Sequence, residues 1–105
     1  MSGTDPQAFT MRAVSAAATL GATDYVVTAT ATSAYTITLP DSESTVPGRP
    51  YYIVKDNAAA NAITIAGADA GDTINGATTL VLASGAFHAA MLVNDGNNWW
   101  AVALY

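Results

Sequence analysis

Along residues 34–39 the side chains alternate, with Tyr35, Ile37 and Leu39 on one side of the chain and Thr36 and Thr38 on the other. A period of two marks a strand with one buried face. The alternation recurs in Ala62-Ile63-Thr64-Ile65, and dense runs of β-branched and aromatic residues at 25–30 and 51–55 predict further strands. Apolar runs at 78–83, 87–93 and 99–105 complete the set. Gly67, Gly71 and the Asn75-Gly76 pair offer the positive-φ positions that turns between antiparallel strands use. Asn94-Asp95-Gly96, between two apolar runs, predicts a hairpin joining the last two strands. Residues 40–50 hold Pro40, Pro47 and Pro50 and read as a long exposed loop, because proline lacks the N–H a ladder needs. In 8–20, Ala16-Ala17-Ala18 suits a helical turn, whereas 10–15 reads better as a strand. No stretch favours a helix of ordinary length.

The expected fold is all-β: a single antiparallel β-sandwich or jelly-roll-like domain over 10–105, preceded by an extended N-terminal arm, 1–9. Alternation is the same in a sandwich and a small barrel, so the pattern leaves both open. The arm is small, polar and interrupted by Pro6, so its order depends on a partner, with Met1, Asp5, Pro6 and Phe9 as its contact candidates. The last two strands differ from the others. Phe87, Ala89, Met91 and Val93 share one face and His88, Ala90 and Leu92 the other; Trp100, Val102 and Leu104 oppose Trp99, Ala101, Ala103 and Tyr105. Both faces are largely apolar. One short chain does not easily cover both, so the second face is expected to pack on another copy. The candidate subunit or capsid interface is Trp99, Trp100, Tyr105, Met91 and Phe87, with Trp100 packing in the core and Trp99 at the interface.

Composition narrows the function. At 105 residues the chain is one domain, and only 10% of it is charged, against about 25% in typical soluble domains. Such a surface needs hydroxyl and amide groups or a covering partner. A net charge of −5, with Arg12, Arg49 and Lys55 as the cations, argues against nucleic acid and anionic membranes as partners. Without cysteine there is no disulfide framework and no thiolate zinc site. The opening MSGTDPQAF has an acid where a secretory signal carries Lys or Arg, and no apolar run approaches the roughly 18 residues of a membrane span, so a soluble chain not exported by that route is expected.

Candidate chemistry is sparse. His88, the single histidine, lies in an apolar strand without a strained nucleophile turn and reads as a strand-face or interface residue. Asp41 and Glu43 sit two apart in the proline loop, where flexibility denies them the fixed spacing of a glycosidase pair. Asp69 and Asp72, flanked by Gly67 and Gly71, lack the spacing of known calcium loops and read as turn residues. Arg49 reads as a local carboxylate partner. No catalytic residue, metal, cofactor or small-molecule substrate is expected.

The ordered segments AYTITLP, GRPYYIVKD, NAITIAG, GDTING and DGNNWWAV resemble a recurrent small β-domain of tailed-bacteriophage structural proteins, found in head decoration or cement proteins, tail fibres and spikes. The likeness covers 13–102. It implies a sandwich or jelly-roll-like domain, a homotrimer, and a role in virion architecture. The family carries no catalytic motif, so no site residue is inherited. The resemblance points to a cement protein on the capsid surface, assembled in the host cytoplasm and docked as a trimer on the major capsid protein. Its alternative is a fibre or spike module that recognises a host carbohydrate.

Overall fold

The computed structural model describes residues 10–43, 45–57, 61–85 and 87–104. The arm residues Met1, Asp5, Pro6 and Phe9, and the interface candidate Tyr105, lie outside them. Nine strands form: β1 (Met11–Val14), β2 (Ala18–Thr19), β3 (Val26–Ala29), β4 (Tyr35–Thr38), β5 (Pro50–Lys55), β6 (Ile63–Ala66), β7 (Thr79–Leu82), β8 (His88–Asn94) and β9 (Trp99–Leu104). Among the described residues there is no helix, so the fold is all-β. The predicted strands are present; only the two-residue β2 was not foreseen.

The pairing differs from expectation. A five-stranded sheet runs β1-β3-β5-β8-β9 and a four-stranded sheet runs β2-β4-β6-β7. From β1 to β6 the chain changes sheet at every connection and so re-enters each sheet in the same direction. The pairs β1/β3, β3/β5, β2/β4 and β4/β6 are therefore parallel. The chain then reverses within the smaller sheet at β7 and crosses to β8, making β6/β7, β5/β8 and β8/β9 antiparallel. The sheets are mixed, and the antiparallel sandwich or jelly roll is replaced by a flattened coil closed by two hairpins. Neighbouring strands in sequence face each other across the core instead of pairing, because their connections are corners and not hairpin turns.

Between the sheets, the inward positions of both make one core. Ile37, Ile63 and Ile65 from the smaller sheet meet Val27, Ile53 and Leu92 from the larger, all fully buried. Each such side chain contributes roughly 1.5–3 kcal/mol relative to exposure. Tyr35, Ile37 and Leu39 point inward and Thr36 outward, as the alternation requires.

Corners bury backbone, which must find partners. Ala31 is fully buried. Its N–H donates to Asn57 Oδ1 and its carbonyl accepts from Asn61 Nδ2, both at 3.1 Å, while the Thr30 hydroxyl donates to Asp56 at 2.8 Å. The polar stretch after β5 thus completes the corner before it. At the next corner Asp24 Oδ2 accepts from the Gly21 N–H at 2.9 Å and from Arg12 Nη1 at 3.1 Å. Asn75 and Gly76 adopt positive φ, as does Gly96, so these turns follow the glycine signals. Gly67 does not; it is needed because a Cβ there would lie 2.5 Å from Asp72 Cβ.

The two tryptophans reverse their expected places. Trp99 is 0% exposed, its ring edge-on to Tyr51 with centroids 5.6 Å apart, whereas Trp100 is 47% exposed. The registers explain this. Trp99 pairs with the buried Asn94 and Trp100 with Val93, so the inward position falls on Trp99. The pairing then skips Val102, and this bulge places Ala103 opposite Met91 and Leu104 opposite Ala90. Parity read through a strictly regular strand was therefore wrong on both sides of the bulge. Trp99→Ala should cost about 3–5 kcal/mol of unfolding free energy and Trp100→Ala about 1 kcal/mol or less, as read from urea denaturation; equal losses would contradict this assignment.

Candidate functional site

The outward faces of the two sheets differ in chemistry. On the smaller sheet, Thr36, Thr64 and Val81 form one registered row and Thr19, Thr38, Ala66 and Thr79 the next. Those hydroxyls suit water. On the larger sheet one row is Met11, Val26, Tyr52, Met91 and Ala103, directly paired from strand to strand across all five strands. A second row is Pro50, Val93 and Trp100. Neither row contains a charge. The sequence shows a doubly apolar pattern only in the last two strands; the structure extends it to the whole sheet, because parallel pairing carries the outward residues of β1, β3 and β5 into register with them.

This face ends at an overhang. The larger sheet has five strands against four, leaving β9 beyond the smaller sheet's edge strand β7. Val102 and Leu104 are more than half exposed there, although Leu104 pairs with the buried Ala90. Part of the edge is nevertheless closed: Asn75 donates its N–H to the Trp99 carbonyl at 3.1 Å, and its Oδ1 accepts from the Ala101 N–H at 2.9 Å. An asparagine in the left-handed conformation thus stands in for part of a missing strand, one of the ways an edge is shielded from pairing with another chain. A partner on β9 must then be held mainly by side chains.

Trp100 is the fixed point of the exposed face. Its indole N–H donates to Asp95 Oδ2 at 2.9 Å, while Asp95 Oδ1 accepts from the N–H groups of Asn97 and Asn98, each at 2.9 Å. These bonds, the Asn98 backbone bond first and the indole second, hold the Asp95 carboxyl down at about 2. Of the other interface candidates, Met91 lies half-buried in the outward row and Phe87 is largely exposed just before β8. Trp99, being in the core, is removed from the set.

Compared with protein-family models, curated proteins and solved structures, the chain has no match. The site rests on geometry.

The acids of the sequence do converge. Asp41 from the proline loop meets Asp69 and Asp72 from the loop after β6, with carboxylate oxygens within 4.8 Å of one another. Ser42, fully buried, joins the loops: its Oγ lies 2.7 Å from the Asn97 carbonyl, 3.1 Å from Asp72 Oδ1 and 3.3 Å from Glu43 Oε2. Its single proton serves these acceptors in turn. Asp41 Oδ1 also accepts from the Glu43 N–H at 3.0 Å. Sequence spacing separates Asp41 from Asp69 and Asp72, which is why the cluster was not foreseen. Arg49 does not take a carboxylate: its Nη2 donates to the carbonyls of Ala22 and Asp24, and its guanidinium carbon lies 4.1 Å from the centre of the Tyr51 ring. His88 pairs across the ladder with the buried Lys55.

Glu43 is held above the ordinary carboxyl range, first by its hydrogen bond to Asp41, then by desolvation and by the charges of Asp41 and Asp72. A raised native value means that this group favours the fold below its unfolded value, and that the contribution is lost as pH rises through the native one. Asp41→Asn should therefore raise the melting temperature near neutral pH, with the gain fading as pH falls below the carboxylate range. Melts across that pH range check the sign; a gain that grew towards low pH would refute it.

Proposed function

We propose that the chain is a non-enzymatic structural protein of a tailed-bacteriophage virion: a homotrimeric decoration, or cement, protein seated on the major capsid protein at the capsid surface and assembled in the host cytoplasm. The observation that carries this reading is the uncharged, largely apolar outward face of the five-stranded sheet. A contiguous apolar face on a chain of net charge −5 is costly to leave in water and calls for a neutral protein surface against it. Symmetry multiplies a modest contact, so a trimer holds a capsid through three weak footholds. The phage assignment itself rests on the ordered segments that resemble that group.

Two measurements test the reading. Counted by quantitative mass spectrometry, the chain should be present in hundreds of copies per purified particle, near a whole fraction of the capsid protein; its absence from particles would end the proposal. Sedimentation of the isolated chain should give a trimer. Met91→Glu, which puts a charge in the middle of the outward row, should yield folded monomers; a wild-type monomer at high concentration would remove the trimer.

The second reading, a fibre or spike module for host carbohydrate, is favoured by one feature. Trp100 is fixed through its N–H and leaves its ring half exposed, an arrangement suited to stacking on a sugar. A glycan-array signal lost in Trp100→Ala, together with only a handful of copies per particle, would move the assignment from head to tail.

A further inference from the structure

Away from the sheet face, a cleft of about 420 Å³ opens where the proline loop passes over the 19–22 corner. This lies within the roughly 300–1,000 Å³ of small-molecule and side-chain sites. Its floor is apolar, made by Leu20, Leu39 and the ring of Tyr51, and Val46 stands at its rim, mostly exposed. Asp41 lines the wall. The same carboxylate is within 4.8 Å of those of Asp69 and Asp72, and Ala68 of that second loop also borders the cleft. The cleft is thus oily along its length and acidic at one side.

The charges there do not cancel. Of the three cations of the chain, Arg12 is paired with Asp24 and Lys55 donates to the Asn57 carbonyl at 2.7 Å. Arg49 borders the cleft, but its Nη2 is spent on two carbonyls, its Nη1 is sealed from solvent, and its face lies on Tyr51. It closes the wall and does not reach the acids as an ion-pair partner in the structure. Against that one cation stand Asp41, Glu43, Asp69 and Asp72. The proton that Glu43 retains in its bond to Asp41 is a local sign of this excess. A cation brought to the acidic side relieves it, and an apolar stem behind that cation covers the floor.

We propose that this cleft receives a lysine side chain of a partner protein, its methylenes lying along Leu20, Leu39 and Val46 and its ammonium meeting Asp41 beside Asp69 and Asp72. The ligand class follows from complementarity alone: four methylenes for an apolar trough and a compact point charge for clustered carboxylates. The planar fork of an arginine needs a bidentate carboxylate, whereas a lysine ammonium accepts any convergent set of oxygens. The site is separate from the outward sheet face, and its failure would leave the structural reading untouched.

The test uses the full chain and three probes: Nα-acetyl-lysine N-methylamide, the same compound acetylated at Nε, and calcium. Amide chemical shifts followed by NMR should move saturably at Gly21, Ala22, Val46 and Ala68 with the lysine probe. The Nε-acetylated probe should bind about tenfold more weakly, as expected for loss of a charge-assisted hydrogen bond worth roughly 1.4 kcal/mol. Asp41→Asn, which keeps the oxygen that accepts from Glu43, and Val46→Ser, which removes the rim methyls, should each weaken the lysine probe at unchanged melting temperature. In the same titration the Glu43 carboxyl should titrate lower when the probe is bound. Equal affinity for the two lysine probes, or shifts that avoid the cleft, would overturn the proposal. So would calcium binding at these acids with no response to lysine, which would assign them to a metal.

Discussion

A chain can leave one sheet for the other only if each corner satisfies the backbone it buries. This constraint governs the fold more than the propensity of any strand. Ala31 shows it most plainly: a fully buried residue whose N–H and carbonyl are both met by asparagine side chains from the following corner. Asp24 does the same for the Gly21 N–H, and Ser42 ties the proline loop to the loop after β6 and to the final hairpin. A buried amide without a partner costs about 1–3 kcal/mol, so each of these short side chains outweighs an ordinary surface contact. Polar residues that look like loop filler are what allow parallel pairing in so short a chain.

The corners also determine where chemistry collects. Coiling brings loops far apart in sequence to one end of the molecule, so Asp41 arrives beside Asp69 and Asp72. Strand faces stay uncharged because their outward residues are β-branched or aromatic, and the acids are left at corners and turns. The asymmetry between a threonine face and an apolar face is then a consequence of register. Parallel pairing aligns Val26 with Tyr52, and antiparallel pairing aligns Tyr52 with Met91, so one uncharged row crosses the sheet.

Much of this was legible beforehand and some of it was not, for definite reasons. The strand at 35–38 and its inward residues follow from alternation, and the Asp95-Gly96 hairpin follows from turn chemistry. Parallel against antiparallel pairing does not, because a period of two is the same whichever neighbour a strand meets. The tryptophans were misplaced because β9 is apolar on both sides and carries no polar marker of parity, and because a bulge at Val102 changes the parity midway. Gly67 was read as a turn glycine, yet its role is clearance for Asp72, which only the folded chain reveals.

The overhang of β9 joins these threads. A strand added to one sheet without a counterpart in the other is left bare where it passes the edge, and residues that would be interior in a symmetric structure, Leu104 above all, stand in water. Asn75 closes half of that edge to backbone pairing but leaves its side chains uncovered. The arrangement blocks open-ended strand addition, the route to aggregates, while keeping an apolar surface available for packing. Such a surface favours association that is closed and limited in number over growth by strand pairing, because contacts made by side chains are specific to the shape they meet.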